Sequence, residues 1–90
     1  MTAPLPLGRV VATPRALETI LDARGDPFAY IARHASGDWG DLCTQDRREN
    51  GLALRHGWRV LSSYEVGGRY VWIITEADRS ITTILLPEEY

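Results

Sequence analysis

Two adjacent glycines, Gly67 and Gly68, separate the runs "WRVLSSYEV" and "RYVWIIT", both rich in β-branched and aromatic residues. No other feature constrains the fold as much. Primed two-residue turns need positive φ, which glycine adopts without steric cost, so the pair predicts a tight antiparallel hairpin. A loop of that length also sets the register. Val66 then faces Arg69, Tyr64 faces Val71 and Ser62 faces Ile73, while Glu65 pairs with Tyr70 and Ser63 with Trp72. "EADRS" forms a looser second turn into "SITTILL". The result is an antiparallel β-meander with strands over residues 59–66, 69–75 and 80–86. Val10 and Val11 make a short strand that joins it at an edge, so the meander has three to four strands. The Tyr64–Val71–Ile73–Ile84 face is the expected buried one, and Ser63, Trp72 and Thr83 line up on the other.

A lone meander is marginal in water, so helices must cover one face. Residues 13–57 supply them. Thr13 caps a helix over 14–24 that begins at Pro14 and stops at Gly25, with Leu17, Ile20 and Leu21 as its buried stripe. Asp26 and Pro27 repeat the signal for a helix over 27–35, with Phe28, Ile31, Ala32 and Ala35 on its apolar face. A third helix is expected over 45–56, with Asp46 in its first turn and Leu52 and Ala53 facing the core. Asn50-Gly51 works against it, because that pair is also a turn signal. The class is therefore α+β: an extended arm over residues 1–8, then one domain over 9–90 with two to three N-terminal helices packed on the sheet.

A hydrophobic share of 44% and a charged share of 24% fit one ordinary globular domain. With a net charge of −2 there is no global field to attract nucleic acid, although a local patch stays open since all ten basic residues are arginine. The lone Cys43 forms no internal disulfide and suits a reducing cytoplasm. The opening "MTAPLPLG" does not read as a secretion signal, and no apolar run is long enough to span a bilayer.

Chemistry-bearing residues concentrate in "HASGDWGDL", His34 to Leu42. One reading makes His34 a general base or acid oriented by Asp38. The other is a helix-ending connector, in which Asp38 and Asp41 bind nearby amides, Trp39 packs on the core and the glycines take left-handed angles. His34, Asp38, Asp41, Cys43 and Asp46 match no zinc or calcium spacing, so no metal and no cofactor are expected. A second cluster lies in the strands. Ser62, Ser63, Thr75, Thr82 and Thr83 read as an exposed face of β-favouring hydroxyls, near Arg59, Arg69 and Arg79. With Tyr70 and Trp72 for stacking, such a face would grip a partner or a phosphate backbone. "PEEY" reads by default as a frayed terminus.

Taken together, "SGDWGDL", "LSSYEV" and "WIITEADRSITTILLPEEY" resemble, over residues 8–90, a group of small bacterial proteins borne on plasmids and integrative elements. That resemblance implies accessory work on mobile DNA: interference with host defence, a toxin, or maintenance. A second resemblance, at the level of fold, is to the barnase, EndoU and RelE-like ribonucleases. It implies metal-free RNA cleavage with His34, Arg69 or Arg79, and Thr82 or Thr83 in the acid–base and charge-stabilising roles. This chain departs from that pattern, with His56 at a helix end, no lysine and a negative net charge. The leading expectation is a cytoplasmic protein that binds a protein partner through Asp38, Trp39, Asp41, Tyr70 and Trp72. The alternative is a toxin-like endoribonuclease acting on RNA, and a homodimer paired through an edge strand is the third arrangement.

Overall fold

The computed structural model describes residues 4–90. Along the chain they form β1 (Arg9–Ala12), α1 (Pro14–Asp22), α2 (Pro27–Ala35), α3 (Thr44–His56), β2 (Val60–Val66), β3 (Arg69–Thr75), β4 (Ile81–Leu85) and a final 3₁₀ turn, Pro87–Glu89. The architecture is α+β, with the helices preceding most of a four-stranded sheet ordered β1-β4-β3-β2. The hairpin has the expected register: Val66 opposite Arg69, Tyr64 opposite Val71 and Ser62 opposite Ile73. Gly67 and Gly68 both take positive φ, 59° and 82°.

The sheet is mixed rather than purely antiparallel. β1 pairs parallel to β4, Val10 with Thr82 and Val11 with Thr83. Parallel neighbours need a crossover, and here everything from α1 to β3 supplies it. The second turn places Ile84 opposite Ile73, as expected for the buried face. It sets Thr83 opposite Ile74, while Leu85 completes the row with Trp72 and Ser63.

Both proline-led helices start as their caps dictate. Thr13 Oγ1 accepts the Ala16 N–H at 3.1 Å, and Asp26 Oδ1 accepts that of Phe28 at 3.0 Å. α1 ends at Asp22, two residues before the expected limit, because Arg24 takes the left-handed position and Gly25 bonds back to the Ile20 carbonyl at 2.9 Å. Its buried stripe is Ala16 and Ile20, and Leu17 and Leu21 are exposed. In α2 the stripe runs through Tyr30, Ile31 and His34. Phe28 and Ala32 lie roughly 110° and 150° round the helix from it, which leaves Phe28 77% exposed. A nine-residue helix offers the sheet one narrow stripe, and in each case that stripe is not the one the apolar count favours.

α3 contains the Asn50-Gly51 pair without breaking. Asn50 behaves as a substitute peptide group: its Nδ2 donates to the Leu61 carbonyl at 2.6 Å, and its Oδ1 accepts the Leu61 N–H at 3.1 Å. Two residues along β2, the Ser63 N–H donates to the Trp39 carbonyl at 3.0 Å, and the Asp41 N–H donates to the Ser63 carbonyl at 2.7 Å. The outer edge of β2 is thus covered at Leu61 by α3 and at Ser63 by the connector.

The main core unites Ala16, Ile20, Tyr64, Val66, Val71, Ile73, Ile84 and Leu86, with Tyr30 and Ile31 packed against it. A smaller cluster joins Leu5, Ala53 and Val60, flanked by Leu7 and Trp39. The arm is therefore docked: Leu5 is buried, and its N–H bonds to the Ala35 carbonyl at 2.9 Å. The part of the predicted arm before Pro4 lies outside the described residues. Among the described residues, no helix is long and apolar enough to cross a membrane.

Candidate functional site

His34 lies on the inner side of α2, above the sheet, and is completely buried. Its Nδ1 is 2.5 Å from Ser62 Oγ, and its Nε2 is 2.8 Å from Thr75 Oγ1. Thr75 Oγ1 is in turn 2.8 Å from Thr82 Oγ1, which donates to the Leu7 carbonyl at 2.7 Å. The proton order follows from the end of this chain. A carbonyl only accepts, so Thr82 spends its proton on Leu7 and must accept from Thr75. Thr75 then accepts from Nε2–H, which leaves Nδ1 to accept from Ser62. The imidazole is neutral, protonated on Nε2, and linked to β2, β3, β4 and the arm by one directed chain of hydrogen bonds. No buried side-chain polar atom among the described residues lacks a partner.

This geometry corrects the reading of the strand hydroxyls. Ser62, Thr75 and Thr82 are buried on the inner face; on the opposite face Ser63 is buried as well and Thr83 half-buried. The signal was present in strand parity, since Ser62 shares a face with Tyr64, Thr75 with Ile73 and Thr82 with Ile84.

Burial pushes the His34 pKa down to about 4 from its ordinary 6.5. Between those values the unfolded chain binds a proton that the native one refuses. The stability this adds is complete above pH 6.5 and is lost as pH falls toward 4. At 1.36 kcal/mol per unit, the loss is about 3 kcal/mol. Thermal denaturation should show Tm falling already between pH 6.5 and 5, before carboxylates titrate; a flat profile there would contradict this.

The rest of "HASGDWGDL" is a tied connector. Asp38 accepts from Arg33 Nε at 2.6 Å and Nη2 at 3.3 Å, and from the Gly40 N–H at 3.3 Å. The Arg33 fork holds the Asp38 carboxyl below its usual range. Arg33 also lies over the Tyr64 ring, 4.5 Å from its centre, and Tyr64 Oη donates to the Asp38 carbonyl at 2.5 Å. Burial pushes the Tyr64 phenol up to about 12. Arg47 donates to the carbonyls of Gly40 and Leu42. Trp39 packs half-buried on the Leu5–Ala53–Val60 cluster. Asp41 departs from the expected role, contributing its backbone N–H to Ser63 and no side-chain hydrogen bond among the described residues.

The residues cast by the ribonuclease resemblance do not share a cleft. His34 and Thr82 are sealed in the core and Thr83 points to the other face. Arg79 Nη2 donates to the Ala53 carbonyl at 3.2 Å and its Nη1 to that of Trp58 at 2.6 Å, closing the end of α3. Arg69 is exposed and meets Glu88 at 3.2 Å. Of the partner-binding set, Tyr70 and Trp72 share the outer sheet face, while Asp38, Trp39 and Asp41 follow the β2 edge.

That outer face carries what the sequence reading missed. The C-terminal turn does not fray. Glu89 Oε1 accepts from Thr13 Oγ1 at 2.7 Å and from the Leu86 N–H at 2.9 Å, and Glu88 bridges Arg15 and Arg69. Tyr90 thereby comes to rest beside Trp72, ring centres 5.9 Å apart and edge to face. Arg59 lies over the Tyr90 ring at 5.0 Å and donates to its hydroxyl. Tyr90 remains 63% exposed and Tyr70 48%. Among the described residues, no group of three or more histidine, cysteine and acidic side chains is placed to hold a metal. Comparison with protein-family models, curated proteins and solved structures finds no match to this chain.

Proposed function

We propose that this protein acts by binding a macromolecular partner, a protein, through its outer sheet face. The observation that carries the reading is the group Arg59–Tyr90–Trp72, in which Arg59 and Tyr90 are exposed and Trp72 half-buried, with exposed Tyr70 on the same face. Tryptophan, tyrosine and arginine dominate the energetics of protein interfaces, because they bury large rigid area and keep a polar handle. Arg59 and Trp72 hold Tyr90 in place, which lowers the entropy lost on docking. The titratable residue with the most perturbed environment, His34, is enclosed in the core and offers a substrate no access. The resemblance to plasmid-borne proteins suggests a host defence complex as the partner, with the chain as its inhibitor.

The test is quantitative co-purification from the native host with a tagged protein, wild type against the Tyr70→Ser/Trp72→Ser double variant. Loss of two aromatic anchors should lower retention of the specific partner by about tenfold or more. Phe28→Ser, on the exposed side of α2, should retain it in full. A wild type that retains nothing, or equal retention by the double variant, contradicts the reading.

A further inference from the structure

The two edges of this sheet are treated differently. Along β2, Leu61 and Ser63 have their outward peptide groups engaged by Asn50, Trp39 and Asp41. Among the described residues nothing equivalent protects β1. Arg9 N–H bonds to the Ser80 carbonyl at 3.0 Å and Thr13 N–H to that of Ile84 at 2.9 Å, so the odd-numbered residues of β1 face β4. The N–H and C=O groups of Val10 and Ala12 consequently face outward, and they meet no hydrogen-bond partner among the described residues. Val10 is 40% exposed.

We infer that β1 pairs antiparallel with β1 of a second copy of this chain, joining two sheets into one of eight strands about a two-fold axis at Val11. The ends of the strand select the occupant and its register. Gly8 has left the extended conformation, with φ of 63°, and Pro14 has no N–H to give. This leaves Val10 and Ala12 as the outward pair. A register that matches Val10 of one copy with Ala12 of the other satisfies both residues twice over, in four hydrogen bonds. It is self-complementary, as an isologous contact must be. Val11 meets its own counterpart at the axis as an apolar pair. Each Arg9 falls opposite Thr13 of the other copy, so the two guanidinium groups stand at opposite ends of the junction. Among the described residues the β2 edge is engaged at Leu61 and Ser63, two of its three outward positions, which blocks pairing along it, so pairing through β1 closes at a dimer instead of growing into a filament.

Sedimentation equilibrium tests this on the full chain. Wild type should show twice the chain mass. Val11→Lys and Val11→Glu should each show the single-chain mass, because like charges would sit face to face at the axis. An equimolar mixture of the two variants should regain the double mass. Cross-linking gives an independent measure if a charged variant fails to fold. In a Cys43→Ser background, Val11→Cys sits at a non-hydrogen-bonded pair with Cα atoms about 4.5 Å apart, within disulfide reach. Mild oxidation should then join the copies through that residue. A wild type of single-chain mass at every concentration, a Val11→Lys variant of unchanged double mass, or a cysteine variant that does not cross-link would each overturn the inference.

Discussion

A His34→Ala variant should lose about 3–5 kcal/mol of stability, combining the cavity left by the ring with the hydroxyls it abandons. Ser62 Oγ donates to the imidazole and Thr75 Oγ1 accepts from it, and both lie where water does not reach. Urea denaturation would register the loss as a lower midpoint with an unchanged m-value. A contrast separates packing from hydrogen bonding. His34→Leu keeps most of the volume but strands the hydroxyls. His34→Leu with Ser62→Ala and Thr75→Val removes the groups that meet the ring and leaves Thr82 on the Leu7 carbonyl. The triple variant should be more stable than His34→Leu alone, because an unmade buried hydrogen bond costs more than an apolar replacement of both partners. A loss below about 1 kcal/mol for His34→Ala would show that the ring is not a member of the core.

Gly40→Ala is the second large effect. Gly40 has φ of 72° and bridges Ser63 on the β2 edge. A methyl group there would collide with the Ser63 carbonyl oxygen and lie 2.7 Å from Tyr64 Cδ1. Both neighbours are anchored, Ser63 in the strand and Tyr64 by its bond to the Asp38 carbonyl. The expected cost is about 3 kcal/mol or more, from backbone strain and displacement of the connector. Gly37→Ala is the control. Gly37 also has positive φ, 92°, but a methyl group there meets nothing within 4 Å. Its cost should be the backbone term alone, about 1–2 kcal/mol. Equal losses for the two variants would mean that Gly40 does not approach the strand closely.

The contrast between these positions shows what a sequence can carry. Local rules worked wherever the determinants are local. Gly67-Gly68 specified the hairpin register, and the Thr13-Pro14 and Asp26-Pro27 pairs specified two helix starts. Parity along the strands already held the polar core, because Ser62, Thr75 and Thr82 share a face with Tyr64, Ile73 and Ile84, which were expected to be buried. Their chemistry argued for exposure only until a buried histidine supplied them with a partner.

Other features depend on contacts distant in sequence. The parallel direction of β1 depends on β4, some seventy positions later. Asn50 resembles a turn residue until Leu61 offers it a strand edge. Tyr90 acquires its place from Arg59 and Trp72. Leu17, Leu21 and Phe28 lie exposed, off the expected buried stripes, for a related reason. Apolar character favours burial, but the packing angle of a short helix decides which stripe is used.

His34 either belongs to the architecture, leaving function to the outer face, or serves as a working group. Nitrogen-15 NMR of the imidazole across pH answers this directly. The prediction is a neutral ring protonated on Nε2, showing no titration from pH 7.5 to 5 and an apparent pKa near 4. A ring that titrates near 6.5, its ordinary value, would place His34 in contact with solvent and contradict the account.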